Sequence, residues 1–310
     1  MTLSPIRIGL VGIGKIARDQ HIPVLNANPA FEIVATASRN AKVDGLPGYV
    51  SVEEMLAGAH DLDAVSLCTP PQDRFGAACA VLAAGHHLLL EKPPGATLSE
   101  MEILITLAKR AGVTLFATWH SRFAPGVAAA KAWLADRAPT RVQIDWREDV
   151  RQWHPGQEWI WEPGGLGVFD PGVNALSIAT SILPKPFYLR SGTLSYPANR
   201  AAPITAALNF VDMDEVPIEA TFDWLQTGEQ TWNIRVETAE GDLLLSKGGS
   251  VLTIDGQTVI DQPEQEYAGI YQRFAQLIGE GGSEVDVSPL RHVADAFLRG
   301  ERVAVAPFES

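Results

Sequence analysis

The stretch Ile6-Arg7-Ile8-Gly9-Leu10-Val11-Gly12-Ile13-Gly14-Lys15-Ile16-Ala17 decides the fold. Its apolar run reads as a buried parallel strand. The run breaks at Gly12-Ile13-Gly14-Lys15-Ile16-Ala17, which fits the G-x-G-x-x-G/A fingerprint of a dinucleotide-binding turn. Gly12 allows the tight turn, Gly14 lets a pyrophosphate approach the backbone, and Ala17 lets helix and strand pack closely. A helix beginning near Lys15 and Ile16 then points free N–H groups and its positive end at the phosphates. Taken alone, the motif also fits an ordinary turn after a strand, so its meaning depends on the rest of the chain.

Lys15 to Asn26 reads as a helix disturbed by Pro23, and Phe31 to Ala37 as the second strand. In NAD-binding proteins an acidic residue near that strand end holds the ribose 2′-hydroxyl. Here the strand ends in Ser38-Arg39-Asn40. A carboxylate would repel a 2′-phosphate, whereas Ser38 can hydrogen-bond it and Arg39 can pair with it or stack on adenine. NADP is therefore the expected cofactor, with NAD also accepted. A solvated loop charge is the plainer reading of Arg39.

The alternation continues. Val52 to Gly58 reads as a short helix, and Leu62 to Thr69 as a strand stopped by Thr69-Pro70-Pro71. The proline pair forces an extended exit at the carboxyl end of the sheet, where ligands sit. Phe75 to Ala84 is a helix stopped by Gly85, and His86 to Leu90 a strand ending at Glu91-Lys92-Pro93-Pro94. His86 and His87 face opposite ways on a strand and read as structural. Ser99 is expected to cap a helix from Glu100 to Ala111, stopped by Gly112. Val113 to Thr118 closes a doubly wound parallel sheet.

The glycine fingerprint, the Cys68-Thr69-Pro70-Pro71 exit and Glu91-Lys92-Pro93 together resemble the Gfo/Idh/MocA family of NAD(P)-dependent oxidoreductases, which act mostly on sugars and polyols. The resemblance implies a cis-proline after Lys92 and puts Lys92 at the nicotinamide, with Thr69, Pro70, Pro71 and Glu91 counted among the cofactor residues. It also matches Arg122-Phe123 to a pair common in the family, and divides the chain into a Rossmann domain, 1–121, and a substrate and oligomerisation domain, 122–310.

The second half alternates apolar and polar residues, as half-exposed antiparallel strands do. Examples are Arg141–Glu148, Ala206–Val211, Ile218–Trp224, Trp232–Thr238 and Asp242–Leu245, with turns at Gly241-Asp242 and Asp255-Gly256. A mostly antiparallel, open α+β sheet is expected, and in the family such a sheet often forms the oligomer contact. A homo-oligomer, dimer or tetramer, is the resulting expectation. Tyr271–Gly279 and Leu290–Arg299 read as two helices packing back near the first domain, with no chemistry visible in them.

Arg151–Trp161 holds three of the eight tryptophans, plus His154. Indole faces stack on sugar C–H faces while the N–H satisfies a hydroxyl; loop packing is the plainer reading. By resemblance Trp161 lies near the nicotinamide, and Trp153 and His154 line the sugar pocket; Trp232, at the start of a later strand, is also expected to bind substrate. Glu148, at a strand end, accepts from sugar hydroxyls or is an ordinary exposed carboxylate. His120, just after a strand, orients the sugar or serves the hinge or core.

Gly164-Gly165-Leu166-Gly167-Val168-Phe169-Asp170-Pro171-Gly172-Val173-Asn174 is the second family signature. Asp170 before Pro171 reads as an N-cap, and Asn174 shares its helix face. Family members commonly carry histidine where this chain has Asn174. Asparagine shuttles no proton, so the proton goes to Asp170, to Lys92, or through water. An aspartate at a helix start beside a lysine is a weak base, which suits the relatively acidic anomeric hydroxyl of a sugar. The Asp170/Asn174 pair, the His/Trp-rich stretch and the Ser38-Arg39 end resemble a sugar 1-dehydrogenase branch of the family, and that resemblance implies oxidation of an aldose at C1, L-arabinose or D-galactose, to its lactone. Two alternatives stay open: a dehydrogenase or reductase of the same family acting on another sugar, polyol or dihydrodiol, and a non-catalytic sugar-response regulator that binds dinucleotide.

Composition sets the bounds. A net charge of −13 argues against nucleic acid or an anionic membrane as partner. No apolar run nears the ~18 residues of a membrane span. Met1-Thr2-Leu3-Ser4-Pro5 leads into the first strand with no signal peptide visible, so a cytoplasmic location is expected. Cys68 and Cys79 read as buried core residues rather than a disulfide or metal pair, and no metal is expected.

Overall fold

The computed structural model describes residues 4–309; Met1, Thr2 and Leu3 of the leading segment lie outside the described residues. The chain divides into two compact units, Met1–Trp119 with Tyr267–Val287, and His120–Glu266 with Ser288–Ser310.

The first unit is built on β1 (Ile6–Val11), β2 (Phe31–Ala37), β3 (Gly48–Tyr49), β4 (Ala64–Leu67), β5 (His87–Leu90) and β6 (Leu115–Ala117). All pairings are parallel, in the order β3-β2-β1-β4-β5-β6. The order reverses at β1, and ligands of such sheets bind outside the strand ends at that point. The apolar runs are buried on both faces: Ile8, Leu10, Val65, Leu67 and Leu88–Leu90 are all fully inaccessible. Ile22–Ala27 begins with Pro23 in its first turn, after a wider π-helical turn at Ala17–His21. The helix Leu98–Ala111 is capped by Thr97, not by Ser99. Thr97 and Glu100 form a reciprocal capping box, which satisfies two orphan N–H groups where Ser99 would satisfy one.

A late segment completes this unit. The helix Glu266–Glu280 buries Ile270, Tyr271 and Phe274, and Phe274 stacks against Phe31 and Phe116 at 6.2 Å. Glu284 then adds to the β6 edge, exchanging backbone hydrogen bonds with Leu115 and Ala117.

The second unit is a nine-stranded open sheet of β7 (Pro139–Arg147), β8 (Phe187–Pro197), β9 (Thr205–Asp212), β10 (Pro217–Asp223), β11 (Thr231–Thr238), β12 (Gly241–Ser246), β13 (Val251–Ile254), β14 (Gln257–Asp261) and β15 (Glu301–Val305). Its order is β14-β13-β12-β11-β7-β10-β9-β8-β15. Neighbours are antiparallel except β7 with β10 and β8 with β15. The helix Phe169–Ile182 packs on it, with Gly172 against Phe222; a Cβ at Gly172 would come within 2.8 Å of that ring. The helix Ser288–Arg299 belongs to this unit too.

Candidate active site

The first unit holds the residues expected to meet a dinucleotide. Gly12 turns with φ of +89°, a conformation open to glycine. A Cβ there would lie 2.9 Å from the Thr69 side chain and backbone N, so the β1 and β4 exits close on each other only with glycine. Gly14 faces open space, with nothing within 4 Å of a Cβ built on it. The Thr69 hydroxyl beside them is buried without a hydrogen-bond partner. An open approach to N–H groups at a helix start, flanked by an orphaned hydroxyl, fits a dinucleotide pyrophosphate. Lys15 is exposed and pairs with Asp19; Ile16 is exposed beside it. Ser38 donates its backbone N–H to Tyr49. Arg39 and Asn40 stand in solvent, and the Arg39 guanidinium lies 3.7 Å from Asp73. Pro70 is half-buried, and Pro71, itself buried, opens a turn that hands over to the helix Arg74–Ala83.

The Lys92–Pro93 peptide is cis, as the resemblance implied. Glu91, expected among the cofactor residues, turns its carboxylate into the protein, against His21, Tyr267 and the Lys92 N–H. Arg74, 2% exposed, donates to the carbonyls of Thr69, Glu91 and Pro93. None of His21, Arg74, Tyr267 or Tyr271 was singled out from the sequence. Two tyrosines four apart on one helix face and an arginine opening an apolar helix were the only signals.

Burial works against charge on His21, but the Cys68 sulfur, the Tyr271 phenol and the Glu91 carboxylate outweigh it and raise its pKa well above 6.5. A raised folded pKa contributes stability that is fully present below the unfolded value and lost as pH rises through the folded one. The melting temperature of the protein is therefore expected to fall as pH climbs above about 6.5. The slope should flatten in His21→Gln, measured by scanning calorimetry across that range. By contrast, burial lowers the pKa of His87, which stays neutral and accepts the Thr114 N–H at Nδ1, a structural role.

The second unit gathers the polar and aromatic residues. β7 lies between β10 and β11, and register sets Arg147 opposite Asp223 on one side and Thr231 on the other. Glu148, just past β7, is therefore flanked by Trp224 and Trp232. Their indole N–H groups donate one to each oxygen, at 3.3 Å to Oε1 and 3.0 Å to Oε2. Glu148 is 5% exposed, so the ordinary exposed carboxylate is set aside. Trp224 was not foreseen; it lies one residue beyond β10 and only the register shows what it meets.

The helix bearing Asp170 begins at Phe169, and Asp170 is not its N-cap. The N–H groups of Phe169 and Asp170 go to the carbonyls of Leu166 and Gly167 in the preceding turn, so no side-chain cap is needed. The Asp170 carboxylate is buried in the first turn, where the helix dipole favours negative charge. His154 Nε2 lies 3.6 Å from Asp170 Oδ2 and 3.6 Å from Glu148 Oε1. An imidazole thus faces Asp170 even though position 174 is asparagine. Asn174, half-buried, lies one turn further along. Trp153 is 41% exposed and sits edge-on to Trp232 at 5.3 Å. Trp161 is buried, edge-on to Trp224 at 5.1 Å and beneath the Arg200 guanidinium. His120 pairs with Glu266, a partner the sequence did not suggest. Arg122 donates to Ser177 and Thr180, tying the turn His120–Phe123 to the Asp170 helix.

Among the described residues no group of three or more His, Cys, Asp or Glu is placed to hold a metal. No helix among them is long and apolar enough to cross a membrane.

A six-stranded Rossmann sheet joined to a mixed, mostly antiparallel sheet, with a glycine turn and a Lys–cis-Pro exit, defines a nicotinamide-dependent oxidoreductase architecture. Residues 6–118 match the oxidoreductase family with an NAD-binding Rossmann fold, GFO_IDH_MocA. The chain is 48% identical to galactose 1-dehydrogenase of Pseudomonas fluorescens over 308 residues, covering 99% of both chains. The chain belongs to the Gfo/Idh/MocA family. Its fold superimposes on the crystal structure of a D-galactose-1-dehydrogenase protein from Rhizobium etli with a TM-score of 0.96, 54% identity, and coverage of 100% and 99%. KijD10, a 3-ketoreductase from Actinomadura kijaniata solved with NADP, shares the fold at a TM-score of 0.82 and 21% identity, covering 97% and 99%.

Proposed function

We propose that the protein oxidises an aldose at C1 to its lactone with NADP, D-galactose and L-arabinose being its substrates. The observation that carries this reading is the convergence of Asp170, His154 and Glu148 within one indole-lined region of the second unit. Support also comes from the galactose 1-dehydrogenase names of two full-length relatives. D-Galactose and L-arabinose share their ring hydroxyl arrangement, so one set of residues serves both.

When bound, NADP supplies the acceptor for the hydride that leaves C1. Gly12, Gly14, Lys15, Ile16 and Thr69 would hold its pyrophosphate, and Ser38, Arg39 and Asn40 its 2′-phosphate. Asp170 takes the proton of the C1 hydroxyl as the carbonyl forms, with Lys92 as the second proton-handling group. His154 faces Asp170 and takes over what a histidine at 174 would do, passing the proton on. Asn174 orients the C1 end of the sugar. Glu148 is held by two indoles, so its oxygens are pre-oriented to accept from distal hydroxyls. The exposed ring of Trp153, braced by Trp232, stacks on the sugar face.

The test is reduction of NADP and of NAD across a pentose and hexose panel, with lactone trapped as its hydroxamate. Turnover should be greatest with D-galactose or L-arabinose and NADP. Arg39→Glu should raise the KM for NADP by about 10-fold or more, from loss of one charge-assisted contact, and spare NAD. Protein that binds NADPH yet reduces NADP with no aldose would sink the reading in favour of a sensor. Preference for a dihydrodiol or ketone would favour another reductase of the family.

A further inference from the structure

One buried polar cluster in the first unit is not used by this chemistry. His21 Nδ1 lies 2.6 Å from the Tyr271 hydroxyl, and Nε2 lies 2.9 Å from Glu91 Oε1. The Tyr267 hydroxyl donates to the same Oε1 at 2.7 Å. The other oxygen, Oε2, accepts the backbone N–H of Lys92 at 2.8 Å. Ser66 stands 3.4 Å from the Tyr271 hydroxyl, oxygen to oxygen. His21, Ser66 and Tyr271 are fully inaccessible, and Glu91 and Tyr267 are 4% and 5% exposed. Burying so many polar groups is costly, and a well-packed apolar core often does as well or better for stability. The expense points to a task other than holding the sheet together.

The members of the cluster show what that task is. His21 ends the π-helical turn just after the glycine fingerprint, and such turns favour functional sites. Ser66 lies on β4 shortly before Thr69, and Glu91 directly precedes Lys92. Tyr267 and Tyr271 come from one face of the late helix. The cluster therefore ties together the three exits that carry the cofactor residues. From another direction Arg74 grips the carbonyls of Glu91 and Pro93. The backbone of Lys92 is thus held at its own N–H and at the carbonyls of both neighbours.

We infer that His21, Tyr267 and Tyr271 are positioning residues for Lys92, acting through the Glu91 carboxylate. A group that must meet a reacting atom within a few tenths of an ångström needs a supported backbone, and a displacement of about 1 Å can cost about 100-fold in rate. The titratable groups facing His21 are Glu91 at the end of β5, Tyr267 and Tyr271 on the helix, and Cys68 after β4. When protonated, His21 donates from both nitrogens, to Glu91 and to Tyr271, which leaves the Tyr271 proton for Ser66. The inference rests on the proposed function only in giving Lys92 a proton to handle.

The test compares the full-length wild type with Tyr267→Phe and His21→Gln. Three quantities are read: kcat and KM for the aldose, the Kd of NADPH by fluorescence, and the titration of the Lys92 ammonium. The last uses 13C-NMR after reductive methylation, with the signal assigned by its loss in Lys92→Arg. We expect kcat to fall about 3–10-fold in Tyr267→Phe and about 10–100-fold in His21→Gln. KM and the NADPH Kd should change by less than about twofold, and the Lys92 resonance should move in both variants. Unchanged kcat together with an unchanged Lys92 resonance in folded protein would reduce the cluster to packing and overturn the inference. Should His21→Gln not fold, Tyr267→Phe, which removes one hydroxyl, decides. Failure of the aldose reading would show separately, as a wild type without turnover, while the Lys92 resonance still reports on positioning.

Discussion

Asp170→Asn is expected to lower kcat for aldose oxidation by about 10²–10⁴-fold, the span of a lost general base. The substitution keeps size and hydrogen-bonding shape and removes the charge. Its place in the first helical turn needs no side-chain cap, since Leu166 and Gly167 supply the carbonyls there. The loss should therefore appear mainly in turnover, with only about 1 kcal/mol of stability lost with the charge at the helix start. KM for the sugar should change little, because Glu148, Trp153 and Trp232 carry ground-state binding in the proposed site. Steady-state rates with a melting curve for each variant check both halves. Near-native turnover in Asp170→Asn would move the proton to Lys92, and Lys92→Ala would then show the large loss instead. His154→Gln provides the comparison, since it leaves Asp170 charged but removes the imidazole 3.6 Å away.

Arg74→Leu is expected to cost about 3–5 kcal/mol of unfolding free energy, as when a buried charged partner is removed from groups it satisfies. Its guanidinium serves three backbone carbonyls at the β4 and β5 exits, those of Thr69, Glu91 and Pro93. Leucine fills most of the volume but donates nothing, so those carbonyls lose a buried partner. Urea unfolding measures the loss, and the denaturant slope should stay unchanged if the unfolded state is the same. A cost below about 1 kcal/mol would mean that water reaches those carbonyls and that the arginine is no anchor.

Residues that speak through local pattern were legible early. The strand-turn-helix at Ile6–Ala17, the extended exit at Thr69-Pro70-Pro71 and the alternation in β7, β9, β10 and β11 all arise from backbone sterics and burial of one or both faces. Cap assignment was less secure. Ser99 and Asp170 both look like caps, yet Thr97 with Glu100 and the carbonyls of Leu166 and Gly167 fill those places. Several acceptable caps within a few residues differ by too little energy for local reading to choose between them.

Alone, the sequence determined the parallel sheet of the Rossmann unit and its glycine turn, and it supplied the expected chemistry of the site, but not that a late helix completes the first unit. The sheet and the turn depend on neighbours a few residues apart, whose geometry the backbone dictates. Tertiary structure decided which partners those groups meet. Glu148 finds its two indole donors 76 and 84 residues away through the register of β7, β10 and β11. Glu91 finds Tyr267 176 residues on, because an apolar helix face must be buried somewhere and β2 and β6 offered Phe31 and Phe116. A hydrogen bond between distant side chains leaves no period in the chain. It exists only once hydrophobic packing has set sheet register and helix docking, and only then does an ordinary tyrosine or tryptophan become part of a site.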